Sequence, residues 1–293
     1  MIKDFVYLRP QSVKEALAML AQYGEASKII CGGQSILILM RQGLVAPDYL
    51  IDVKQLHELD FIDFDDAKGL RIGAVTTHRK VEKSALIRRH FPVLAEMEEH
   101  LASIQTRNWG TIGGNLCHAD PAGDPAPVLI ALGASLRMAD GKGERTVPVE
   151  EFFLDYFETV LGPDGLLLEI TVPPPPPRTA TAYEKFTVIE SDHAVVSVAC
   201  SITLDAEGQR CQDARIVLGA AAPTPKRATR AEEALVGATL EERVLDAAGR
   251  AASEEAEPIT DIHASEAYRR DLVKALTRRM VRKAWETAKT VSA

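Results

Sequence analysis

Five consecutive prolines, Pro173 to Pro177, limit the fold of this chain more than any other feature. Proline has no main-chain N–H to donate and its ring fixes φ, so such a run cannot lie inside a helix or a central strand. It favours an extended polyproline segment instead. The sequence therefore predicts a stiff connection near residue 176, which separates an N-terminal part, 1–176, from a C-terminal part, 177–293.

Length and charge exclude several classes of protein. A chain of 293 residues can form two domains with cores of their own. Its formal net charge of -8 argues against nucleic acid or an anionic membrane as the main partner, because both attract basic surfaces. No apolar run approaches the roughly 20 residues that cross a bilayer, and the first residues lack the apolar stretch of a signal peptide. We therefore expect a cytoplasmic protein without a membrane span.

The four cysteines, at positions 31, 117, 200 and 211, are widely separated. They form no C-x-x-C pair, which metal ligand sets usually contain, and they are too few for a disulfide framework. We expect reduced structural thiols and no metal site on this chain. Any iron–sulfur cluster that works with this protein must then lie on another chain.

Hydrophobic periodicity predicts helices and strands in both parts of the chain. Ser12 can cap a first helix that Gly24 ends. Before the prolines, we expect strands at 28–31, 49–53, 70–75 and 166–172. After them, we expect strands at 183–189, at 195–204 and through Val217, followed by helices at 226–236, 240–251 and 266–288. A small sheet backed by helices is the economical arrangement.

Two glycine-rich turns carry the clearest chemistry, Cys31-Gly32-Gly33-Gln34-Ser35 and Thr111-Ile112-Gly113-Gly114-Asn115. Glycine lets the main chain approach a ligand closely and adopt positive φ, so consecutive N–H groups can converge on phosphate oxygens. Either turn alone is more often just a tight turn, and neither matches G-x-G-x-x-G or the phosphate-binding P-loop. Two such turns in one domain, far enough apart to face each other across a cleft, predict a pyrophosphate site.

A polar segment follows the second turn, from Cys117 to Asp124. Asp120 either caps the apolar helix after it or serves a ligand, while Asp124 is the better candidate for holding a ligand's ribose or ring edge. His118 can be read as a general base, but no nucleophile or second histidine is spaced to support it. A binding or structural histidine is the favoured interpretation.

Several of these segments together resemble one family. They are Gly32-Gly33-Gln34-Ser35, Gly73-Ala74-Val75-Thr76-Thr77, Gln105-Thr106-Arg107-Asn108, the second glycine turn and His118-Ala119-Asp120-Pro121. In this order they are similar to the FAD-binding medium subunit of the molybdenum hydroxylases, the family of aerobic carbon monoxide dehydrogenase and the bacterial xanthine dehydrogenases. The resemblance covers nearly the whole chain, and Ser265-Glu266-Ala267-Tyr268-Arg269 resembles the opening of that family's final helix.

The resemblance implies an α+β fold. Its first domain is an FAD-binding domain of the vanillyl-alcohol-oxidase (PCMH-like) type, built from two α+β subdomains at about 1–55 and 56–176. The second domain, 177–293, is of the carbon monoxide dehydrogenase flavoprotein type, with a small three-stranded antiparallel sheet and helices.

The resemblance also implies the residues that bind FAD, and it implies neither catalytic residues nor metal ligands on this chain. The two turns hold the pyrophosphate, residues matching Asp124 and Lys185 approach the ribityl chain or the isoalloxazine ring, and the segment 166–168 supplies an apolar ring contact. The full predicted set is Cys31, Gly32, Gly33, Gln34, Ser35, Ile36, Ala102, Thr111, Ile112, Gly113, Gly114, Asn115, His118, Asp124, Leu168, Lys185, Asp192 and His193.

Two of these positions keep alternatives open. Lys185, between aromatic neighbours on a strand, is either a solvated cation or a charge that stabilises the reduced flavin and raises its reduction potential. His193 stands where the family commonly has an aromatic residue after the aspartate. It either replaces that aromatic stacking or leaves the flavin ring more open to solvent and to acceptors.

The implied function is electron transfer. A large subunit hydroxylates the substrate at molybdopterin, a small subunit with [2Fe-2S] clusters relays the electrons to FAD on this chain, and an external acceptor (NAD, quinone or oxygen) takes them. A dimer of heterotrimers is the expected assembly. One alternative is a free-standing FAD oxidase or dehydrogenase with its own substrate, and another is a scaffold in which the glycine turns are only turns.

Overall fold

The computed structural model describes residues 2–189 and 191–291. The first unit is a three-stranded parallel sheet in the order β1-β3-β2, with two helices. The side chain of Ser12 caps the first helix by accepting from the N–H of Glu15 at 3.2 Å, and Gly24 ends it, as expected. The elements are β1 (Val6–Leu8), α1 (Val13–Tyr23), β2 (Ser27–Ile30), α2 (Ile36–Gln42) and β3 (Tyr49–Asp52).

The second unit is a five-stranded antiparallel sheet in the order β4-β5-β10-β6-β7. Six short helices follow its second strand, and they carry the second glycine turn. The elements are β4 (Ile62–Asp65), β5 (Gly69–Gly73), α3 (His78–Lys83), α4 (Ala85–His90), α5 (Pro92–Glu99), α6 (Ile104–Trp109), α7 (Ile112–His118), α8 (Pro125–Ala131), β6 (Ser135–Asp140), β7 (Gly143–Pro148), a small pair β8 (Phe153–Asp155) and β9 (Glu158–Thr159), and β10 (Leu166–Val172).

The proline run connects two different sheets. Strand β10 is the central strand of its sheet and ends at Val172, immediately before the first proline. The next strand, β11 (Thr179–Phe186), belongs to the C-terminal sheet. The first four prolines, 173–176, adopt neither helix nor strand.

The C-terminal sheet has the order β11-β12-β13-β14. It contains the three long antiparallel strands that were expected and adds a two-residue edge strand. The helix predicted over 226–236 is found only at Thr229–Glu233, because Lys226 and Arg227 pair with Leu218 and Val217 in the sheet. The elements are β12 (Val196–Leu204), β13 (Cys211–Gly219), β14 (Lys226–Arg227), α9 (Thr229–Glu233), α10 (Glu242–Glu255) and α11 (Glu266–Thr290).

Strand β11 presents its alternate side chains to two different cores. Ala182 belongs to the apolar cluster that includes Trp285 of α11, whereas Tyr183 packs against the cluster of the N-terminal part. The C-terminal sheet is therefore covered on one face by its own helices and on the other by the N-terminal part. None of the helices within the described residues is long and apolar enough to cross a membrane.

One buried carboxylate ties the middle sheet together. Glu169 on β10 is 3% exposed, and it accepts hydrogen bonds from Arg71 on β5 at 2.6 and 2.7 Å and from Arg137 on β6 at 2.7 Å. The hydrogen bond with Arg71, opposed by burial, is the main reason why the pKa of Glu169 falls to about 2. The carboxylate thus links three adjacent strands.

We expect Glu169→Gln to lower the melting temperature by roughly 5 °C at neutral pH, because two arginines lose their charged acceptor. A depressed pKa stabilises the fold above the ordinary value of 4.5, and this contribution disappears as the pH falls toward 2. The difference in melting temperature between wild type and variant should therefore shrink below pH 4.5 in thermal unfolding followed by circular dichroism. A difference that stays constant down to the acid limit would contradict this assignment.

Candidate cofactor site

The first glycine turn, Cys31 to Ile36, connects strand β2 to helix α2. Gly33 has a φ of 70°, a conformation that glycine adopts without strain. The five main-chain N–H groups from Gly32 to Ile36 donate no hydrogen bond to any of the described residues. Five consecutive free donors at a helix start form an anion-binding surface.

The second glycine turn, Thr111 to Asn115, opens helix α7 and uses its donors internally. The N–H groups of Ile112 and Gly113 bind the carbonyls of Thr76 and Ala74 at 3.0 and 3.1 Å. Those of Gly114 and Asn115 bind the side chain and the carbonyl of Thr111 at 3.2 and 3.0 Å. Converging free amides, which the sequence predicted for both turns, are thus found only in the first.

Each glycine of the second turn has a distinct steric role. A Cβ on Gly113 would lie 2.4 Å from the carbonyl oxygen of Ala74, so this glycine allows the helix to pack closely on the sheet. A Cβ on Gly114 would meet only the hydroxyl of Thr111, at 2.8 Å, and Gly114 is exposed. Gly114 therefore offers a bare main-chain surface beside the half-buried Asn115 side chain.

The first turn contacts the residues that lead into the second turn. A Cβ on Gly32 would lie 2.5 Å from the carbonyl oxygen of Trp109 and 2.6 Å from the Cα of Gly110, the residues that lead into the second turn. Burial raises the pKa of the Cys31 thiol, and its hydrogen bond with Thr111 partly offsets that effect. The turns therefore form one continuous surface, as a shared diphosphate site requires.

A buried ion pair joins the two parts of the chain. Asp124 lies at the start of α8, and its Oδ2 accepts from the Lys185 ammonium at 2.7 Å. The side chains of Asp124 and Lys185 are 7% and 8% exposed. The Tyr183 hydroxyl donates to Asp124 Oδ1 at 2.6 Å, and burial, then this carboxylate, raises the pKa of Tyr183 well above its ordinary value. Lys185 is thus neither a solvated nor an unpaired cation.

The remaining polar residues lie at the exposed end of this ion pair. Lys185 also donates to the carbonyl of Asp192 at 3.2 Å, which anchors the loop that carries His193. The His193 side chain is 74% exposed, with its Nδ1 4.0 Å from Asp120. Burial lowers the pKa of His118, whose ring lies 5.2 Å from that of Phe157. Asp120 itself accepts from the N–H of Ala122, so it does not cap α8, which begins at Pro125.

Two of the predicted residues form main-chain hydrogen bonds within the protein. Leu168 is 2% exposed, with its side chain in an apolar cluster, and its carbonyl accepts from Ala74, the residue that also holds Gly113. Ala102 has a φ of 43°, and its carbonyl accepts from the Arg107 guanidinium at 2.8 Å. The apolar ring contact predicted for Leu168 thus falls on a buried side chain.

Sequence reasoning missed three residues of this region. Tyr183 carries a usable signal, because it lies two positions before Lys185 and so on the same face of a strand. Arg107 was recognised only as part of a motif, and Lys54, whose ammonium reaches the Trp109 carbonyl at 2.9 Å, carried no signal at all. Its contact joins positions 55 residues apart, which no local pattern reveals.

Comparison with known proteins identifies the family. The model for the FAD binding domain in molybdopterin dehydrogenase matches residues 3–175, and that for the CO dehydrogenase flavoprotein C-terminal domain matches residues 181–284. This chain is an FAD-binding medium subunit of the molybdenum hydroxylase family. The resemblance noted in the sequence is thereby confirmed, as are the α+β fold class and the assignment of FAD as cofactor.

Curated relatives match the medium subunit along almost its whole length. This chain is 34% identical to the 6-hydroxypseudooxynicotine dehydrogenase complex subunit alpha of Paenarthrobacter nicotinovorans, over 98% of this chain and 96% of that subunit. It is 32% identical to the carbon monoxide dehydrogenase medium chain of Hydrogenophaga pseudoflava, over 96% and 97% of the two chains.

Solved structures agree with this fold. A chain in carbon monoxide dehydrogenase from Hydrogenophaga pseudoflava superposes with a TM-score of 0.94 at 34% identity, covering 98% of this chain and 99% of that one. A chain in quinoline 2-oxidoreductase from Pseudomonas putida 86 superposes with a TM-score of 0.92 at 32% identity, covering 99% of each.

We expect Gly114→Val to weaken FAD binding at least about tenfold, because the new side chain occupies the bare surface of the second turn. The apoprotein should lose no more than about 2 kcal/mol of stability, the effect of displacing the Thr111 hydroxyl that caps helix α7. Flavin fluorescence titration measures the affinity. Gly141→Val, at the β6–β7 hairpin, is the control, and unchanged FAD affinity in Gly114→Val would exclude Gly114 from the site.

We expect Asp124→Asn and Lys185→Met each to destabilise the apoprotein by roughly 3–5 kcal/mol, because each leaves a buried charge without its partner. The double variant should recover part of that loss, which urea unfolding can measure. Removal of the exposed pair Lys3–Asp48, whose side chains are 59% and 57% exposed, is the control and should have little effect. Strict additivity of the two buried substitutions would show that they do not interact.

Proposed function

We propose that this medium subunit holds FAD with the diphosphate on the free amides of Gly32 to Ile36 and relays electrons within a larger complex. The observation that carries the proposal is the row of five unpartnered N–H groups in contact with the second glycine turn. Main-chain donors and the partial positive charge of a helix start are what a diphosphate requires. Bound FAD supplies a redox group that takes up electrons one or two at a time.

The proposed division of contacts follows the geometry. Cys31 to Ile36 receive the diphosphate, while Thr111, Ile112, Gly113, Gly114 and Asn115 provide the bare surface on which it lies. Asp124, Lys185, Asp192, His118 and His193 serve the ribityl and isoalloxazine end, with Ala102 and Leu168 contributing main-chain groups there. The division into domains at residue 176, and of the first domain near residue 55, is part of the same proposal.

An electron relay suits these residues better than a free-standing oxidase. An enzyme that oxidises its own substrate needs a positioned base over the flavin. The two candidates for such a base are His193, which is 74% exposed, and His118, whose pKa is lowered by burial. In the described part of the chain, no hydrogen bond orients either ring.

The partners follow from the family. Relatives of equal length are named as subunits or medium chains of complexes for 6-hydroxypseudooxynicotine and carbon monoxide. Since chains so similar serve different substrates, the substrate is selected by another chain. We propose a small subunit with [2Fe-2S] clusters and a large molybdopterin subunit, assembled as a dimer of heterotrimers in the cytoplasm. The electrons leave to an external acceptor, NAD, quinone or oxygen.

We expect the chain purified alone to be yellow and to release one FAD on denaturation. Its visible flavin absorbance should not bleach with small organic donors. Bleaching should begin only when the partner subunits and their substrate are added under anaerobic conditions. Rapid bleaching of the isolated chain by a small molecule would favour the free-standing oxidase, and a colourless chain that cannot be reconstituted with FAD would favour the scaffold.

A further inference from the structure

Lys54 lies just after strand β3, beside both glycine turns. Its main-chain N–H donates to Asp52 Oδ1 at 2.9 Å, which fixes the backbone where the strand ends. Its half-buried side chain then extends to the second unit, where the ammonium donates to the carbonyl oxygen of Trp109 at 2.9 Å. The residue therefore spans the junction between the two N-terminal units.

The acceptor of Lys54 lies on the residue whose carbonyl the first turn also approaches. The Trp109 carbonyl oxygen is also the atom that a Cβ on Gly32 would approach to 2.5 Å. The ammonium and the first turn thus contact the same carbonyl. Because Gly32 and the ammonium approach the same oxygen, the cation lies beside the start of the free amides.

The charge of Lys54 is not paired in a salt bridge within the described part of the chain. Among the described residues, no carboxylate lies within ion-pair distance of its ammonium. The nearby Asp60 is bound to Lys80 at 2.5 Å, and the second carboxylate oxygen of Asp52 accepts from the Tyr7 hydroxyl at 2.5 Å. Burial, as the largest cause, lowers the pKa of Lys54. An anionic ligand beside this half-buried cation would offset its partial desolvation.

We propose that Lys54 is a cofactor-binding residue: it presses the Trp109 carbonyl onto the first glycine turn and supplies the positive charge that balances the diphosphate of FAD. This inference rests on the proposed diphosphate site at Gly32 to Ile36. The amides there provide directed hydrogen bonds but no net charge. Lys54 is the cation of that site, in a position that neither the glycine motifs nor the family resemblance indicates.

Three variants separate charge from structure. Lys54→Met removes the charge and the donor but keeps the length of the side chain, and Lys54→Arg keeps both. Lys28→Met is the matched control, because Lys28 is an exposed lysine on strand β2 of the same unit. Affinities of each apoprotein for FAD and for riboflavin, which lacks the diphosphate, are measured by flavin fluorescence at low and high salt.

We expect Lys54→Met to weaken FAD binding about tenfold at low salt, the effect of one charge-assisted hydrogen bond. The loss should shrink at high salt, and riboflavin affinity should stay unchanged. Lys54→Arg and Lys28→Met should bind FAD within about threefold of wild type.

Other outcomes overturn the inference in distinguishable ways. FAD affinity in Lys54→Met equal to wild type would remove Lys54 from the site while leaving the proposed function intact. Equal losses for FAD and riboflavin would assign Lys54 a purely structural role. If the wild-type chain itself binds no FAD, the proposed function fails, and the proposal for Lys54 fails with it.

Discussion

The close contact between Gly32 and the Trp109–Gly110 peptide is the constraint on which the rest of the site depends. No side chain larger than hydrogen fits at Gly32, since a Cβ there would lie 2.5 Å from a carbonyl oxygen and 2.6 Å from a Cα. This contact joins the turn after strand β2 of the parallel sheet to the connection between helices α6 and α7. This contact keeps the free amides of the first turn close to the start of helix α7.

The two turns, similar in sequence, do different work. The main-chain N–H groups of the first turn are free to bind an anion. Those of the second turn donate to the carbonyls of Ala74 and Thr76 and to Thr111. The main-chain donors available to a ligand are therefore those of the first turn. The Asp124–Lys185 pair joins strand β11 of the C-terminal sheet to the start of helix α8 in the N-terminal part.

Local patterns predicted much of this structure. The helix caps, the glycine turns, the strand before the prolines and the polar residues Asp124 and Lys185 could all be recognised from the sequence. Contacts between residues far apart in the sequence could not be predicted in this way. The pairing of Asp124 with Lys185 joins positions 61 residues apart, and the capture of the second turn's amides depends on a neighbouring strand end. Likewise, Lys226 and Arg227 look helical locally but are drawn into a sheet edge by β13.

The most direct test of this account is the response of the main-chain amides of Gly32 to Ile36 to FAD, followed by ¹H–¹⁵N NMR of the deuterated chain. The account predicts that these five resonances shift downfield as they gain phosphate acceptors, that the shifts saturate at one FAD per chain, and that the internally bonded amides of Ile112 and Gly113 move less. Stoichiometric FAD binding that leaves the Gly32–Ile36 resonances in place would contradict it.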